Sequence, residues 1–168
     1  SSIHYHITIR NIKVMKKVLF VCLGNICRSP AAEAVYKSYL ETNGISDIEV
    51  DSAGTSAYHE GEPADQRMRD HARERGVEIT SISRGFKRDD FENFDLIVTM
   101  DNSNYNTLVL KATSEEHKNK LTPFCHFLKT RTEKEVPDPY YGGADGFETV
   151  LDILEDGMEN LHQRLIST

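Results

Sequence analysis

The eight residues from Cys22 to Ser29 contain the groups needed for phosphoryl transfer. They read Cys-Leu-Gly-Asn-Ile-Cys-Arg-Ser, with five residues between the first cysteine and the arginine. A thiolate is a strong nucleophile, and the planar fork of arginine matches two oxygens of a phosphoryl group. We therefore expect Cys22 to attack phosphorus while Arg28 holds the phosphoryl oxygens and stabilises the charge of the transition state.

The rest of this segment is suited to bind a phosphate dianion. Gly24 and Asn25 both tolerate the left-handed backbone conformation that lets successive amides point at one centre. Pro30 is expected to be the first residue of a helix, whose N-terminus offers unpaired N–H groups and a partial positive charge. The Ser29 hydroxyl can donate a hydrogen bond to the sulfur. The predicted phosphate-binding loop comprises Leu23, Gly24, Asn25, Ile26, Cys27 and Ser29 around the two catalytic residues.

Other uses of the cysteines are less well supported. Cys22 alone could be a small buried residue that ends a strand, but this does not account for the arginine, serine and proline that follow. A zinc site lacks partners, because Cys22 and Cys27 have no nearby Cys or His at finger spacing, and His4 and His6 belong to a separate N-terminal segment. We expect no metal and no other cofactor.

Cys27 could serve in either of two ways. A reversible disulfide with Cys22 would protect the nucleophile from irreversible oxidation, whereas a packing role would leave the thiol free. The sequence supports the two roles equally.

Alternating strands and helices must position this loop. Short apolar runs predict strands over residues 18–21, 48–50, 96–100 and 121–127. Helices are predicted over residues 30–40 and 105–112, over residues 64–75 as a polar helix, and from just after Gly143 to residue 165, where apolar residues from 147 onwards form one stripe. Strands joined by helices give a parallel sheet with helices on both faces. Ligands bind beyond the carboxyl ends of such strands, where the loop after the first strand lies.

The N-terminal segment looks appended to this domain. Met15 begins Met-Lys-Lys-Val-Leu-Phe-Val, which reads as the start of an α/β domain, so residues 1–14 are expected to be an extension or an expression remnant. Residues 15–168 then form one domain. Apolar and polar residues nevertheless alternate over residues 3–9, which predicts a strand docked on a sheet edge or a neighbouring chain.

The composition argues against several classes of protein. Acidic residues outnumber basic ones by 27 to 20, for a net charge of -7, and no basic stripe interleaves with aromatic residues, so we expect no nucleic-acid partner. No apolar run is long enough for a membrane span, and no leader is visible. Three cysteines, an odd number, favour free thiols in a reducing compartment. We therefore expect the protein to be located in the cytoplasm.

Several segments resemble the low-molecular-weight protein tyrosine phosphatase family. They are Val-Leu-Phe-Val-Cys-Leu-Gly-Asn-Ile-Cys-Arg-Ser-Pro, then Asp-Ser-Ala-Gly-Thr at 51–55, Phe-Asp-Leu-Ile at 94–97 with Met-Asp at 100–101, and Asp-Pro-Tyr-Tyr at 138–141. The first and last are highly specific together. The resemblance covers residues 15–168 and implies a cytoplasmic enzyme with an α/β three-layer sandwich, a four-stranded parallel sheet and no metal. It also implies hydrolysis of phosphotyrosine through a phosphocysteine intermediate.

The resemblance implies roles for single residues of the loop. Cys22 is the nucleophile, Arg28 the phosphate clamp and Ser29 the partner of the thiolate, while Asn25 and Ser52 brace the loop. Residues 81–84 read Ser-Ile-Ser-Arg where many members of the family carry a histidine ahead of the arginine. The network that braces the loop is therefore expected to differ in this chain.

Two aspartates are expected to support the reaction, again by resemblance. Asp138 would protonate the tyrosyl leaving oxygen and then activate water, because one carboxyl can do both in turn; its alternative role is an ordinary turn residue before proline. Asp101 would support the site from behind, and an exposed helix cap is its equal alternative.

Three tyrosines are expected to form the walls of the substrate pocket. Tyr58, Tyr140 and Tyr141 would accept an aryl phosphate and make the pocket too deep for most phosphoserine. Tyr58 is almost as well explained as an ordinary half-buried tyrosine. By resemblance, Tyr140 and Tyr141 are also candidates for regulatory phosphorylation.

Three other functions compete with tyrosine phosphatase. An arsenate reductase would need a relay of cysteines, and only Cys125 lies outside the loop. A protein arginine phosphatase would carry threonine in place of Ile26 and lack the tyrosine pair. A silent phosphoprotein-binding module is disfavoured by the intact catalytic residues. The expected partners are phosphotyrosine proteins and inorganic phosphate or another oxyanion, with weak self-association as a further option and no membrane contact.

Overall fold

The computed structural model describes residues 15–140 and 142–168. The predicted N-terminal extension, with its strand over residues 3–9, lies outside the described residues, and so does Tyr141. Within the described ranges, no helix has the length and apolar character needed to cross a lipid bilayer.

A four-stranded parallel sheet lies at the centre of the fold. Its strands are β1 (Lys16–Cys22), β2 (Ile48–Gly54), β3 (Leu96–Thr99) and β4 (Leu121–Pro123), in the spatial order β2-β1-β3-β4. Neighbouring strands pair in parallel throughout. The predicted α/β sandwich is therefore confirmed, with the loop after β1 at the carboxyl edge of the sheet.

The two faces of β1 contribute to two separate cores. Val18 and Phe20 pack into one apolar cluster, while Leu19 and Val21 pack into another, and all four are fully buried. Successive side chains of a strand point to opposite faces, so a strand between two helical layers must be apolar at every position. This explains the continuous apolar run before Cys22.

Helices cover both faces of the sheet. They are α1 (Arg28–Thr42), α2 (Gln66–Glu74), α3 (Asp90–Asn93), α4 (Asn102–Lys111), α5 (Glu115–Lys120) and α6 (Ala144–Ile166). The apolar stripe of α6 packs with α1 in one core, where Val150 and Leu154 are fully buried. Phe91 of α3 and Leu108 of α4 belong to the core on the opposite face.

The start of α1 differs from the prediction. The helix begins at Arg28, after Cys27, so Pro30 is its third residue rather than its first. The first four amides of a helix have no partner within it, so a proline at the third position sacrifices no helical hydrogen bond. Arg28 and Ser29 are consequently held by helical backbone and not by a flexible loop.

Other boundaries also differ from the prediction. The fourth strand ends at Pro123, and a 3-10 helix follows over Phe124–Phe127, where a strand was expected to continue. Proline has no N–H to donate to the ladder, which favours the end of a strand there. The second strand continues to Gly54, beyond the predicted end at residue 50. The short helices α3 and α5 were not predicted at all.

Candidate active site

A pocket of about 380 Å³ opens at the carboxyl end of β1. The loop after β1, the turn after β2 and the segment before α6 all contribute to its walls. The lining residues are Cys22, Leu23, Gly24, Ile26, Cys27, Arg28, Ser56, Tyr58, His59, Asp138 and Tyr140. The structure thus brings the three predicted catalytic residues into one cavity, at the edge where the topology places ligands.

The loop after β1 binds the surrounding chain through its carbonyl groups. These accept hydrogen bonds as follows: Cys22 from Thr55 N–H (2.9 Å), Leu23 from Ser56 N–H (2.9 Å), Ile26 from Asp65 N–H (2.8 Å) and Gly24 from the Ser83 hydroxyl (3.0 Å). In a planar trans peptide, each N–H points opposite to the preceding carbonyl. The amides that follow these carbonyls therefore point away from these partners, which is the arrangement that an anion site requires.

Asn25 and Gly24 shape the loop in different ways. Asn25 has a φ of 56°, the left-handed conformation that asparagine tolerates. Gly24, contrary to expectation, does not adopt a positive φ. Glycine at this position leaves room for the His59 ring, because a Cβ here would lie 3.0 Å from His59 Cδ2. The Asn25 amide nitrogen donates to Ser29 Oγ (2.8 Å) and to Ser52 Oγ (3.0 Å), which holds the strained turn in place.

The Cys22 sulfur lies next to the Ser29 hydroxyl. The two atoms are 3.0 Å apart, and Ser29 Oγ is also 3.3 Å from the carbonyl oxygen of Ala53. Both side chains are buried, since Cys22 lies at the floor of the pocket and Ser29 behind it. A hydroxyl that donates to sulfur favours its anionic form and later helps it to leave phosphorus.

Arg28 forms a fixed positive charge beside the sulfur. Its Nη1 donates to Asp101 Oδ2 (2.6 Å) and to the carbonyl of Val136 (3.0 Å), and its Nη2 lies 3.6 Å from Asp138 Oδ2. Burial disfavours the charged guanidinium, but the Cys22 sulfur and the two carboxylates outweigh burial and raise the pKa of Arg28. The site therefore keeps a cation where phosphoryl oxygens would bind.

Asp101 combines the two roles that the sequence left open. Its Oδ1 accepts a hydrogen bond from the Asn104 N–H (2.8 Å) and so caps α4, while its Oδ2 binds Arg28. Asp101 lies behind the arginine and does not line the pocket. It orients the guanidinium without occupying the space of a substrate.

Asp138 and two tyrosines, Tyr58 and Tyr140, also line the pocket. Asp138 Oδ1 accepts a hydrogen bond from the Tyr140 N–H (3.0 Å). The Tyr140 ring is partly covered by the Arg67 guanidinium, 5.5 Å from the ring centre. Tyr58 is 85% exposed, so it stands at the mouth of the pocket and is not the half-buried tyrosine of the alternative interpretation.

The three cysteines are free thiols. Burial, followed by the Asp65 carboxylate, raises the pKa of Cys27, so this residue stays protonated. Cys125 lies outside the pocket, and burial, with smaller contributions from Glu133 and Glu135, raises its pKa to about 11. Cys22 is therefore the cysteine that the pocket presents beside a cation.

The sequence did not predict how residues 83 and 84 hold the loop. The Ser83 hydroxyl binds the loop carbonyl of Gly24, and the Arg84 N–H donates to Asn25 Oδ1 (3.0 Å). The Arg84 guanidinium is fixed by the carboxylates of Asp51 and Asp90, at 3.0 Å from each. In this chain, residues 83 and 84 thus brace the loop through a serine hydroxyl and a backbone amide. A difference from the bracing network of other family members stays a prediction.

Comparisons with known proteins agree with this geometry. The family model described as low molecular weight phosphotyrosine protein phosphatase matches residues 17–168. A Synechocystis protein, provisionally named a low molecular weight protein-tyrosine-phosphatase, is 44% identical over 146 residues, which are 86% of this chain and 93% of that protein. The crystal structure of a protein tyrosine phosphatase from Entamoeba histolytica is 50% identical, covers 90% of this chain and 97% of its own, and gives a TM-score of 0.87.

A second similar structure is named for a different activity. It is described as a Drosophila arginine phosphatase, is 30% identical, covers 88% of this chain and 96% of its own, and gives a TM-score of 0.82. The same fold is therefore found in proteins named for two different phosphorylated residues.

Proposed function

The chain belongs to the low molecular weight phosphotyrosine protein phosphatase family, and on that premise we propose that it hydrolyses protein phosphotyrosine through a phosphocysteine intermediate on Cys22. One observation carries the proposal: Cys22, Arg28 and Asp138 line a single cavity together with the loop that joins Cys22 to Arg28. Together they supply a nucleophile, a clamp for phosphoryl oxygens and a proton donor.

In the first step, the phosphoryl group moves from the substrate to the enzyme. The Cys22 thiolate attacks phosphorus, so that an S–P bond forms while the bond to the phenolic oxygen breaks. The Asp138 carboxyl gives its proton to that oxygen, and tyrosine leaves neutral. Arg28 and the loop amides bind the phosphoryl oxygens throughout, where charge is spread in the transition state.

In the second step, water releases the phosphate. The Asp138 carboxylate takes a proton from water as the water oxygen attacks phosphorus. The S–P bond then breaks and its electron pair returns to sulfur, where the Ser29 hydroxyl stabilises it at 3.0 Å. Orthophosphate leaves and Asp138 carries the proton needed for the next cycle.

The pocket walls favour phosphotyrosine as substrate. Ile26 and Tyr140 line the cavity and Tyr58 stands at its mouth, so an aryl ring would meet apolar surface between the solvent and the sulfur. Arsenate reduction is disfavoured because the protonated Cys125 lies outside the pocket and cannot continue a thiol relay there. The arginine phosphatase among the similar structures makes phosphoarginine the second candidate substrate.

A substrate panel tests this preference. We expect kcat/KM for a phosphotyrosine peptide to exceed that for a phosphoarginine peptide of the same flanking sequence by at least about tenfold. Phosphate release from the two peptides, measured side by side, gives the ratio of the two kcat/KM values. A third assay tests the chain for arsenate reduction. Ile26→Thr adds a hydroxyl to an apolar wall of the pocket. We expect this variant to have a smaller ratio of kcat/KM for phosphotyrosine to kcat/KM for phosphoarginine. Equal or faster hydrolysis of phosphoarginine by the unmodified chain would reject phosphotyrosine as the preferred substrate.

Asp138→Ala is expected to lower kcat/KM most for substrates with poor leaving groups. Without the proton donor, kcat/KM for phenyl phosphate should fall by about 10²-fold or more, whereas that for p-nitrophenyl phosphate should fall by less than about tenfold, because its phenolate leaves without protonation. kcat/KM is the right parameter because it reports only the first transfer step. Equal losses for both substrates would mean that Asp138 has a structural role only.

A disulfide between Cys22 and Cys27 stays a prediction. Both line the same pocket, where condensation of a Cys22 sulfenic acid with the Cys27 thiol would form the disulfide and release water. The raised pKa of Cys27 opposes this step, because the attacking species is the thiolate. Because the nucleophile must stay reduced to act, we also propose a reducing compartment such as the cytoplasm.

A further inference from the structure

Three side chains that can bind a metal ion meet between two helices, outside the pocket. His71 and Glu74 belong to α2, and Glu148 belongs to α6. One ligand atom from each lies within 4.8 Å of the ligand atoms of the other two. None of the three residues lines the catalytic pocket, and none takes part in the reaction steps described above.

The two helices bring these side chains together. His71 and Glu74 are three residues apart, and residues at this spacing lie on the same face of a helix. α2 packs against α6, where Glu148 is the fifth residue. One nitrogen ligand and two oxygen ligands are therefore placed at the junction of α2 and α6.

His71 and Glu148 are already oriented by their neighbours. The His71 ring stacks on the Phe147 ring, with the ring centres 5.4 Å apart and the planes at 11°. His71 Nδ1 lies 2.5 Å from Glu148 Oε2, while Glu148 Oε1 accepts a hydrogen bond from Arg75 Nη2 (2.7 Å). Contacts of this kind fix the orientation of the ligands in metal sites. These two ligands therefore need little rearrangement to bind an ion.

Glu74 supplies the third ligand. Its side chain is exposed, and its carboxylate forms no hydrogen bond or ion pair with the described residues. Zinc binds nitrogen and carboxylate oxygen at about 2.0–2.2 Å, so the ligand atoms of a tetrahedral site are about 3.4 Å apart. The close pair formed by His71 and Glu148 must open, and the wider separations must close, each by about 1 Å. The long, exposed side chain of Glu74 allows this movement.

The charges at this junction attract a cation. Arg75 forms ion pairs with Glu148 (2.7 Å), Asp152 (2.9 Å) and Glu155 (3.2 Å), all on α6. Together with Glu74, four carboxylates surround this one guanidinium, so negative charge is in excess. A divalent cation between the carboxylates would reduce their mutual repulsion.

We propose that His71, Glu74 and Glu148 form a binding site for Zn²⁺ that links α2 to α6. The imidazole nitrogen favours zinc over Mg²⁺ and Ca²⁺, which prefer oxygen ligands. Three protein ligands leave the fourth position of the tetrahedron to water. No metal was expected from the sequence, because Glu148 lies 77 residues after His71 and only the fold joins them.

The proposed site lies next to the residues that support the pocket wall. Phe147 packs on the His71 ring, and the Arg67 guanidinium lies 4.9 Å from the centre of the Phe147 ring. The same guanidinium lies over the ring of Tyr140, which lines the pocket. A zinc ion that links α2 to α6 would therefore stabilise the two helices behind this wall, while the reaction at Cys22 does not require the ion.

Thermal unfolding of the full chain tests the site. The protein is dialysed against EDTA, freed of the chelator and heated with zinc chloride or with magnesium chloride. At a zinc concentration about 100 times the Kd, binding to the folded state should raise Tm by about 5 °C or more. Addition of EDTA should reverse the rise, and Mg²⁺ at the same concentration should leave Tm unchanged.

His71→Gln removes the nitrogen ligand. We expect the Kd for zinc, measured by calorimetric titration, to increase by about 10²-fold, and the zinc-dependent rise in Tm to disappear. His117→Gln is the matched control, because His117 also stacks on a phenylalanine ring, that of Phe91, and lies 2.5 Å from a carboxylate oxygen of Glu92. Among the described residues, no third ligand completes a cluster at His117. This control should keep both the Kd and the rise in Tm.

Glu74→Gln keeps the proposal testable if His71→Gln does not fold. It replaces an exposed carboxylate with a neutral amide of the same shape, and the Kd for zinc should increase by about tenfold or more. Cobalt(II) used in place of zinc reports the ligand type, because thiolate ligands add an intense charge-transfer band in the near ultraviolet. We expect the visible bands of cobalt without that band, and a loss of the visible bands in Glu74→Gln.

Other groups that bind zinc cannot produce these differences. His4, His6 and the three cysteines are present in every variant. An unchanged Tm of the unmodified chain with zinc, or an equal rise in Tm in the folded His71→Gln or Glu74→Gln variant, would overturn the proposal. A cobalt spectrum dominated by the thiolate band would do the same. The measurements use no substrate, so their result does not depend on the proposed function.

Discussion

Replacing Cys22 with serine is expected to lower kcat for aryl phosphate hydrolysis by at least about 10⁴-fold. The serine hydroxyl is a weak nucleophile at neutral pH. The loop amides and Arg28 are unchanged, so inorganic phosphate or vanadate should still bind. Turnover of p-nitrophenyl phosphate and calorimetric titration with phosphate measure the two properties separately.

Cys125→Ser is the matched control for this change. It replaces a thiol outside the pocket, and near-normal turnover is expected. If Cys22→Ser kept more than a small fraction of the activity, the sulfur would not be the attacking group. If phosphate binding were lost together with turnover, Cys22 would be needed for the shape of the loop. The loss of turnover would then not be evidence that Cys22 is the nucleophile.

Arg28→Lys is expected to reduce kcat/KM by about 10³-fold, close to the contribution of arginines that stabilise phosphoryl transfer. Arg28 binds Asp101 and the Val136 carbonyl through one nitrogen and reaches towards Asp138 with the other. A lysine offers a single ammonium, which cannot be anchored on Asp101 and also bridge two phosphoryl oxygens. Steady-state kinetics with p-nitrophenyl phosphate and inhibition by phosphate would measure the loss.

Arg67→Lys supplies the control for the arginine prediction. Arg67 pairs with Asp65 and lies over the Tyr140 ring at the edge of the site, where a lysine can keep the positive charge. We expect a change of only a few-fold in kcat/KM. A loss below tenfold for Arg28→Lys would show that charge alone is sufficient at position 28 and that the planar fork is not required.

The sequence predicted the parts of the molecule that depend on local patterns. The run before Cys22 is apolar on both faces because helices cover both faces of β1, and the stripe on α6 repeats at helical spacing. The octet after β1 combines a nucleophile, an arginine and a helix start within eight residues. These signals need no knowledge of distant contacts, and the structure places them as expected apart from the exact start of α1.

The remaining features depend on contacts between residues distant in sequence. Arg28 donates to the Val136 carbonyl, 108 residues further along the chain, and only the fold brings the two together. Ser83 and Arg84 reach the loop because the chain returns to it after β2. The helices α3 and α5 span four and six residues, too few to show a helical period. In α5 no residue is buried, and Ser114 caps the helix by accepting a hydrogen bond from the His117 N–H.

The most direct test of the account is to identify the atom that receives the phosphoryl group. In Asp138→Ala, the first transfer from p-nitrophenyl phosphate survives while the second step loses its base, so the intermediate should accumulate. Rapid acid quenching followed by peptide mass spectrometry is predicted to find one phosphoryl group on Cys22 and none on Cys27. An unmodified Cys22 throughout a turnover, or phosphate on another residue, would contradict the central role of this sulfur.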